Sequence, residues 1–202
     1  MNEKCNKNQT IQYYNENAAA FVESTRNVDF HPIQDEFLEK LTTGAKILDL
    51  GCGSGRDTKY FLERGYEVDA IDGSAKLCAL ASEYTGIPVK CQLFQELAEV
   101  EKYDGIWACS SLLHLSLGKL DEVLYRIEKA LKPQGILYMS FKYGVFEGER
   151  NGRYFLDFTE EKMNRLLETH EGLCQLRSFR TEDARPDRKE KWLNLFLKKT
   201  NS

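Results

Sequence analysis

Short apolar runs alternate along the middle of the chain with segments whose apolar positions fall three and four apart, the spacing of a helix face. The runs predict strands at 46–50, 67–71, 89–94, 103–109 and 136–141, and the amphipathic segments predict helices at 57–63, 75–84 and 120–131. Gly65 and Gly86 stand where the first two helices end, as C-caps, and "KPQG" stops the third. Upstream, residues 11–41 read as helical, with Ile33, Phe37 and Leu41 at i, i+4 and i+8 and Thr43-Gly44 as the close. After Tyr143 the pattern changes to a polar loop, "GVFEGERNGRYFLDFTEE", a helix at 160–168 and strands at 173–179 and 191–199 joined by "RTEDARPDRKE".

Strands alternating with helices in units of about thirty residues give a parallel sheet covered on both faces, a doubly wound α/β fold. The two late strands add an antiparallel hairpin at one edge, for seven strands in all. The last, "WLNLFLKK", is read as internal to the sheet, with an edge position that mediates dimers as the alternative. Neither an internal repeat nor a low-complexity linker divides the chain.

A length of 202 residues with 42% hydrophobic content suits one domain. A net charge of -4 leaves no basic stripe for a nucleic-acid backbone, so small-molecule chemistry is expected. Cys5, Cys52, Cys78, Cys91, Cys109 and Cys174 include no CxxC pair and read as reduced thiols, with no metal-ligand spacing among His, Cys and carboxylates. The polar N-terminus and the lack of a long apolar window lead to the expectation of a cytoplasmic protein without a membrane partner.

The candidate chemistry sits in "AKILDLGCGSGRDTKYF", residues 45–61, where a predicted strand enters a loop with glycine at every second position and then a helix. In such a sheet the ligand lies beyond the carboxyl ends of the strands, and Gly51, Gly53 and Gly55 let backbone N–H groups approach it. A dinucleotide loop would need glycine or alanine where Arg56 stands, and a phosphate-binding Walker loop would need Gly-Lys-Ser/Thr.

"LDLGCGSG" resembles the first motif of the class I S-adenosylmethionine-dependent methyltransferases. "VDAIDGS", "YDGIWACSSLLHL" and "ALKPQGILYMSF" follow in the family's order and extend the resemblance over about residues 45–141. The string "GCGSGRDTKYFLERGYEVDAID" is similar to the bacterial small-molecule branch often labelled tellurite-resistance-like. The resemblance implies a Rossmann-like core at 45–141, an N-terminal helical cap at 1–42, a substrate loop with C-terminal strands at 142–202, and S-adenosyl-L-methionine as cofactor. It places cofactor contacts at Asp49, Gly51, Cys52, Gly53 and Gly55, at Asp72 with Gly73 for the ribose hydroxyls, at Phe94 and Gln95 for the adenine, and at Cys109 and Tyr14 for the methionine end. At Gln95 the sequence departs from the Asp common in the family. For Tyr13 and Tyr14 alike, simple packing on the sheet is an equal alternative.

Transfer from a sulfonium needs alignment of the acceptor and exclusion of water, and a base only when the acceptor carries a proton. His114 is the candidate catalytic base, with a structural role as the alternative; His31 and His170 read as surface or capping residues. Tyr13, Lys142, Tyr143 and Arg153 are the candidate substrate residues, while Arg150, Arg185 and Arg188 read as largely solvated or paired charges. The absence of Asp/Asn-Pro-Pro-aromatic argues against nucleic-acid amines. The expected activity is methyl transfer to a small, anionic or soft-nucleophile acceptor by a monomer or homodimer. The alternatives are a cofactor-binding regulator without catalysis and an enzyme acting on RNA or a protein side chain.

Overall fold

The computed structural model describes residues 9–185 and 187–201; Cys5 lies outside them. The strands are β1 (Lys46–Leu50), β2 (Glu67–Asp72), β3 (Val89–Cys91), β4 (Tyr103–Ala108), β5 (Leu131–Lys142), β6 (Glu147–Arg150), β7 (Arg153–Leu156), β8 (Leu173–Glu182) and β9 (Lys191–Lys199). The helices are α1 (Gln9–Glu16), α2 (Ala18–Thr25), α3 (His31–Leu38), α4 (Arg56–Glu63), α5 (Ala75–Thr85), α6 (Leu117–Ala130) and α7 (Glu160–Leu167).

A seven-stranded sheet in the order β3-β2-β1-β4-β5-β9-β8 forms the centre. Its first five strands are parallel, and β9 lies antiparallel between β5 and β8, as read from the sequence. Adjacent residues of a strand point to opposite faces, and both faces are apolar. Leu48, Ile106 and Leu137 pack with Leu120, Val123 and Leu124 of α6, whereas Ile47, Trp107 and Tyr138 pack with Phe37 of α3 and Phe61 of α4. The strand order reverses between β1 and β4, so the crevice outside their carboxyl ends is the natural ligand site. No helix among the described residues is long and apolar enough to cross a membrane.

Several boundaries depart from the sequence reading. The expected polar loop after Tyr143 is a separate hairpin of β6 and β7, turned by Asn151 (φ 51°) and Gly152 (φ 74°). Two consecutive positive φ values define the tight turn that Asn-Gly favours. Strand β3 stops at Cys91 because its partner β2 ends opposite it, at Asp72, and residues Phe94–Glu96 form a 3₁₀ turn. Helix α6 starts three residues earlier than expected, and β5 runs back through the "KPQG" segment. The helical reading of 11–41 resolves into three short helices, broken at Asn17 and before Pro32. His170 is buried, with Nε2 3.0 Å from Asp121, and is not a surface residue.

Candidate active site

The glycine loop after β1 is left-handed at all three glycines, with φ of 87° at Gly51, 55° at Gly53 and 78° at Gly55. A Cβ on Gly51 would lie 2.5 Å from Cβ of Ser111, and one on Gly53 would lie 3.0 Å from the Phe21 ring. Gly51, Cys52 and Gly53 line a large pocket at the carboxyl edge of the sheet. Gly55 does not; a Cβ there would meet Thr85 at 2.9 Å, so this glycine lets α4 pack on α5. Asp49 also stands behind the pocket wall. It is buried, its Oδ2 accepts the Thr58 hydroxyl at 2.6 Å, and burial, then the neighbouring charge of Asp57, pushes its pKa up.

At the end of β2, Asp72 faces the same pocket and accepts the N–H groups of Gly53 at 3.0 Å and Ser74 at 2.8 Å. Burial raises its pKa, and backbone N–H groups of Ser74, Gly53 and Gly73 work in the opposite direction. Gly73, Phe94 and Gln95 complete this wall. Helix α1 closes over it: Asn15 Oδ1 accepts from the Ser74 hydroxyl at 2.8 Å, and Ile11 and Tyr14 line the pocket.

His114, in the turn after β4, is hydrogen-bonded through both ring nitrogens. Nε2 lies 2.8 Å from the Tyr14 hydroxyl and Nδ1 lies 2.7 Å from the Tyr154 carbonyl. A carbonyl only accepts, so Nδ1 carries the proton and Nε2 accepts from Tyr14. Burial lowers the pKa of His114 to about 4, with the nearby charges of Arg153 and Lys142 adding to the effect against the Tyr154 bond. An imidazole with its lone pair occupied and so low a pKa is a poor proton acceptor, which is at odds with the role of general base read from the sequence. Burial likewise pushes the pKa of Cys109 up to about 12, which disfavours its thiolate.

One buried network escaped the sequence reading. Asp57 accepts from Arg56 through Nε at 2.7 Å and Nη2 at 2.9 Å, from Gln34 Nε2 at 2.6 Å and from Trp107 Nε1 at 2.9 Å. It fixes Arg56 in the pocket wall, where the guanidinium lies 4.7 Å over the Phe30 ring and 3.8 Å from Cys109 Sγ. Ser110 was missed as well. It takes φ 53°, a strained value for a residue with a side chain, and its N–H donates to the Ser140 hydroxyl at 2.8 Å in the pocket.

The other half of the pocket is built by Ser140 and Lys142 of β5, Arg153 and Phe155 of β7, and Trp192 of β9. Tyr13 and Tyr143, expected to meet substrate, do not line it. Tyr13 packs under Arg153, and Tyr143 packs under Arg180. Lys142 is paired with Glu190 at 2.8 Å, Arg150 with Asp157 at 2.8 Å and Arg185 with Asp183 at 2.7 Å.

Residues 48–137 match the family model described as a methyltransferase domain. The chain is 32% identical to the putative methyltransferase YqeM of Bacillus subtilis over 109 residues, which are 48% of this chain and 44% of that protein. It is 28% identical to a ubiquinone biosynthesis O-methyltransferase of a Bradyrhizobium species over 103 residues, 48% of this chain and 40% of that protein. The chain thus spans less than half the length of these curated relatives. Among solved structures it is similar to the 1,6-didemethyltoxoflavin-N1-methyltransferase of Burkholderia thailandensis, which holds 1,6-didemethyltoxoflavin and S-adenosylhomocysteine. The TM-score is 0.73 at 24% identity, over 100% of this chain and 94% of that one. The N-methyltransferase NodS of Bradyrhizobium japonicum, solved with S-adenosylhomocysteine, gives a TM-score of 0.69 at 14% identity over 96% of this chain and 100% of that one. At these identities the two structures speak to the fold. The matches leave the tellurite-resistance-like neighbourhood a resemblance only.

Proposed function

We propose, for a chain whose residues 48–137 match a methyltransferase domain, an enzyme that moves the methyl group of S-adenosyl-L-methionine to a small-molecule acceptor held in the pocket beside β4 and β5. The observation that carries this reading is Asp72, a half-buried carboxylate at the end of β2, braced by two backbone N–H groups and facing the pocket across the loop of Gly51 and Gly53. A carboxylate so placed fits a pair of ribose hydroxyls, since charged acceptors make the stronger hydrogen bonds. The cofactor supplies an activated methyl group on a sulfonium when bound.

The chain's own residues then do the rest. Phe94 offers an apolar face and Gln95 an amide for the adenine, and Gly51, Cys52 and Gly53 bring backbone close. Tyr14 closes the methionine end, aimed by His114. His114 therefore acts as a positioning residue. The acceptor atom arrives with a lone pair already free, or gives its proton to solvent, while α1 and the β6–β7 hairpin align it and exclude water.

The test is incubation of the protein with tritium-labelled methyl donor and a cell extract divided into small-molecule, RNA and protein fractions. The reading predicts label in the small-molecule fraction. Label confined to RNA or protein, or no transfer at all, would overturn it.

A further inference from the structure

Three cations, two of them in the pocket wall, surround one aromatic ring of the acceptor half of the pocket. Lys142 Nζ, Arg150 Cζ and Arg153 Cζ lie 5.3 Å, 4.9 Å and 5.1 Å from the centroid of Phe155. Two of the three are neutralised within the protein, Lys142 by Glu190 and Arg150 by Asp157. Arg153 is not. Among the described residues no carboxylate stands within ion-pair distance of it, its Nε is buried without a hydrogen-bond partner, and its Nη1 reaches only the Tyr14 hydroxyl, at 3.4 Å. The guanidinium is sandwiched by aromatic faces, Tyr13 at 4.4 Å and Phe155. Such stacking holds the plane and leaves the N–H edges available for a two-point bond.

A partly buried cation with an orphaned N–H is costly unless a ligand completes it. Arg188 also lines the pocket, but it is exposed on the link between β8 and β9, where water serves it. Arg185 is committed to Asp183 through two bonds, from Nε at 2.8 Å and Nη2 at 2.7 Å. The Nε atoms of Arg150 and Arg26 are also buried without a partner, but Arg150 is held by Asp157 through Nη2 and Arg26 does not line the pocket, so the half-buried pocket cation without a carboxylate among the described residues is Arg153.

We propose that Arg153 is the anchor of an anion subsite: the acceptor carries a carboxylate or phosphate group, which the guanidinium grips edge-on while Phe155 and Trp192 supply apolar walls for the rest of the molecule. The proposal rests on the methyltransferase reading and narrows its acceptor to an anion. The cofactor's own carboxylate is the other source of the same chemistry. The glycine loop stands at the end of β1, whereas Arg153 belongs to the hairpin that packs Phe155 beside Lys142 at the end of β5, and the titrations below separate the two sources.

Calorimetric titration of the S-adenosylhomocysteine-loaded protein with benzoate, inorganic phosphate and neutral benzamide tests this. The expected result is that at least one anion binds about tenfold more tightly than benzamide, and that Arg153→Gln removes that preference while Arg153→Lys keeps part of it, the range for hydrogen bonds to a charged group. The affinity for S-adenosylhomocysteine should fall by less than the anion affinity in both variants, because Arg153 is assigned to the acceptor and meets the cofactor side only through its 3.4 Å contact with Tyr14. Anions that bind no better than benzamide would overturn the proposal. So would an Arg153→Gln protein that keeps anion binding and loses S-adenosylhomocysteine, since the guanidinium would then serve the cofactor. If the unaltered protein fails to bind S-adenosylhomocysteine yet binds anions through Arg153, the cofactor reading falls and the anion anchor stands.

Discussion

Tyr14 and His114 are one hundred positions apart in the chain, and the hydroxyl of one lies 2.8 Å from Nε2 of the other. The second imidazole nitrogen is bound to the carbonyl of Tyr154, whose N–H in turn donates to Thr10 at 3.0 Å. The N-terminal helix, the turn after β4 and the β6–β7 hairpin are therefore joined in one hydrogen-bonded circuit over the pocket. Edge-on contacts of Tyr14 with Phe21 at 5.1 Å and with the imidazole at 5.4 Å hold the same geometry by packing.

Tyr14→Phe should loosen this circuit without emptying the space the ring fills. The loss of one hydrogen bond, with the half-buried imidazole of His114 left without its Nε2 partner, is worth about 1–2 kcal/mol. Affinity for S-adenosylhomocysteine should fall roughly 5- to 30-fold by the same measure, and protease cleavage before residue 17 should accelerate. Unaltered affinity together with unaltered cleavage would show that α1 is held by other contacts.

Acid should weaken the fold through His114. The group ordinarily titrates near 6.5 and burial holds it at about 4 in the folded protein, so between these values the unfolded chain takes up a proton that the folded one refuses. Its contribution is present above pH 6.5 and is lost as pH falls toward 4, by roughly 3 kcal/mol in all. In urea titrations across this window, His114→Gln should show a shallower decline than the unaltered protein. Parallel curves would mean that the imidazole is accessible to protons in the fold.

The five parallel strands were legible because strands buried on both faces read as continuous apolar runs, and the glycine loop was legible because its neighbours force left-handed backbone. The hairpin was not. Its Asn151-Gly152 turn is a strong signal, but Glu147, Glu149, Arg150 and Arg153 around it made the segment look solvated, while the structure turns Phe155 and Leu156 inward. The sequence sent both Tyr13 and Tyr14 to the pocket, but adjacent residues of one helix face different directions, and only Tyr14 lines it. The Arg56–Asp57 network was hidden for another reason. Adjacent opposite charges at a helix start look like surface residues, and their burial depends on Gln34 and Trp107, which arrive from separate elements.

Glycine positions separate turn geometry from packing. Gly44 and Gly55 have nearly equal φ, 76° and 78°, but a Cβ on Gly44 meets nothing within 4 Å whereas one on Gly55 meets Thr85 at 2.9 Å. Gly44→Ala should cost only the left-handed strain, about 1–2 kcal/mol. Gly55→Ala should cost at least about 1 kcal/mol more, because it overpacks α4 against α5. Equal losses in urea midpoint would argue against that contact.

The central claim is that Asp72 holds a sulfonium nucleoside, and calorimetry of the unaltered protein and of Asp72→Ala with S-adenosylmethionine tests it most directly, with NAD as the control ligand. The account predicts binding of S-adenosylmethionine and none of NAD, and a loss of about 1.5–3 kcal/mol in Asp72→Ala, roughly 13- to 160-fold, with the circular dichroism spectrum retained. Equal affinity in the two proteins, or preferential binding of NAD, would contradict it.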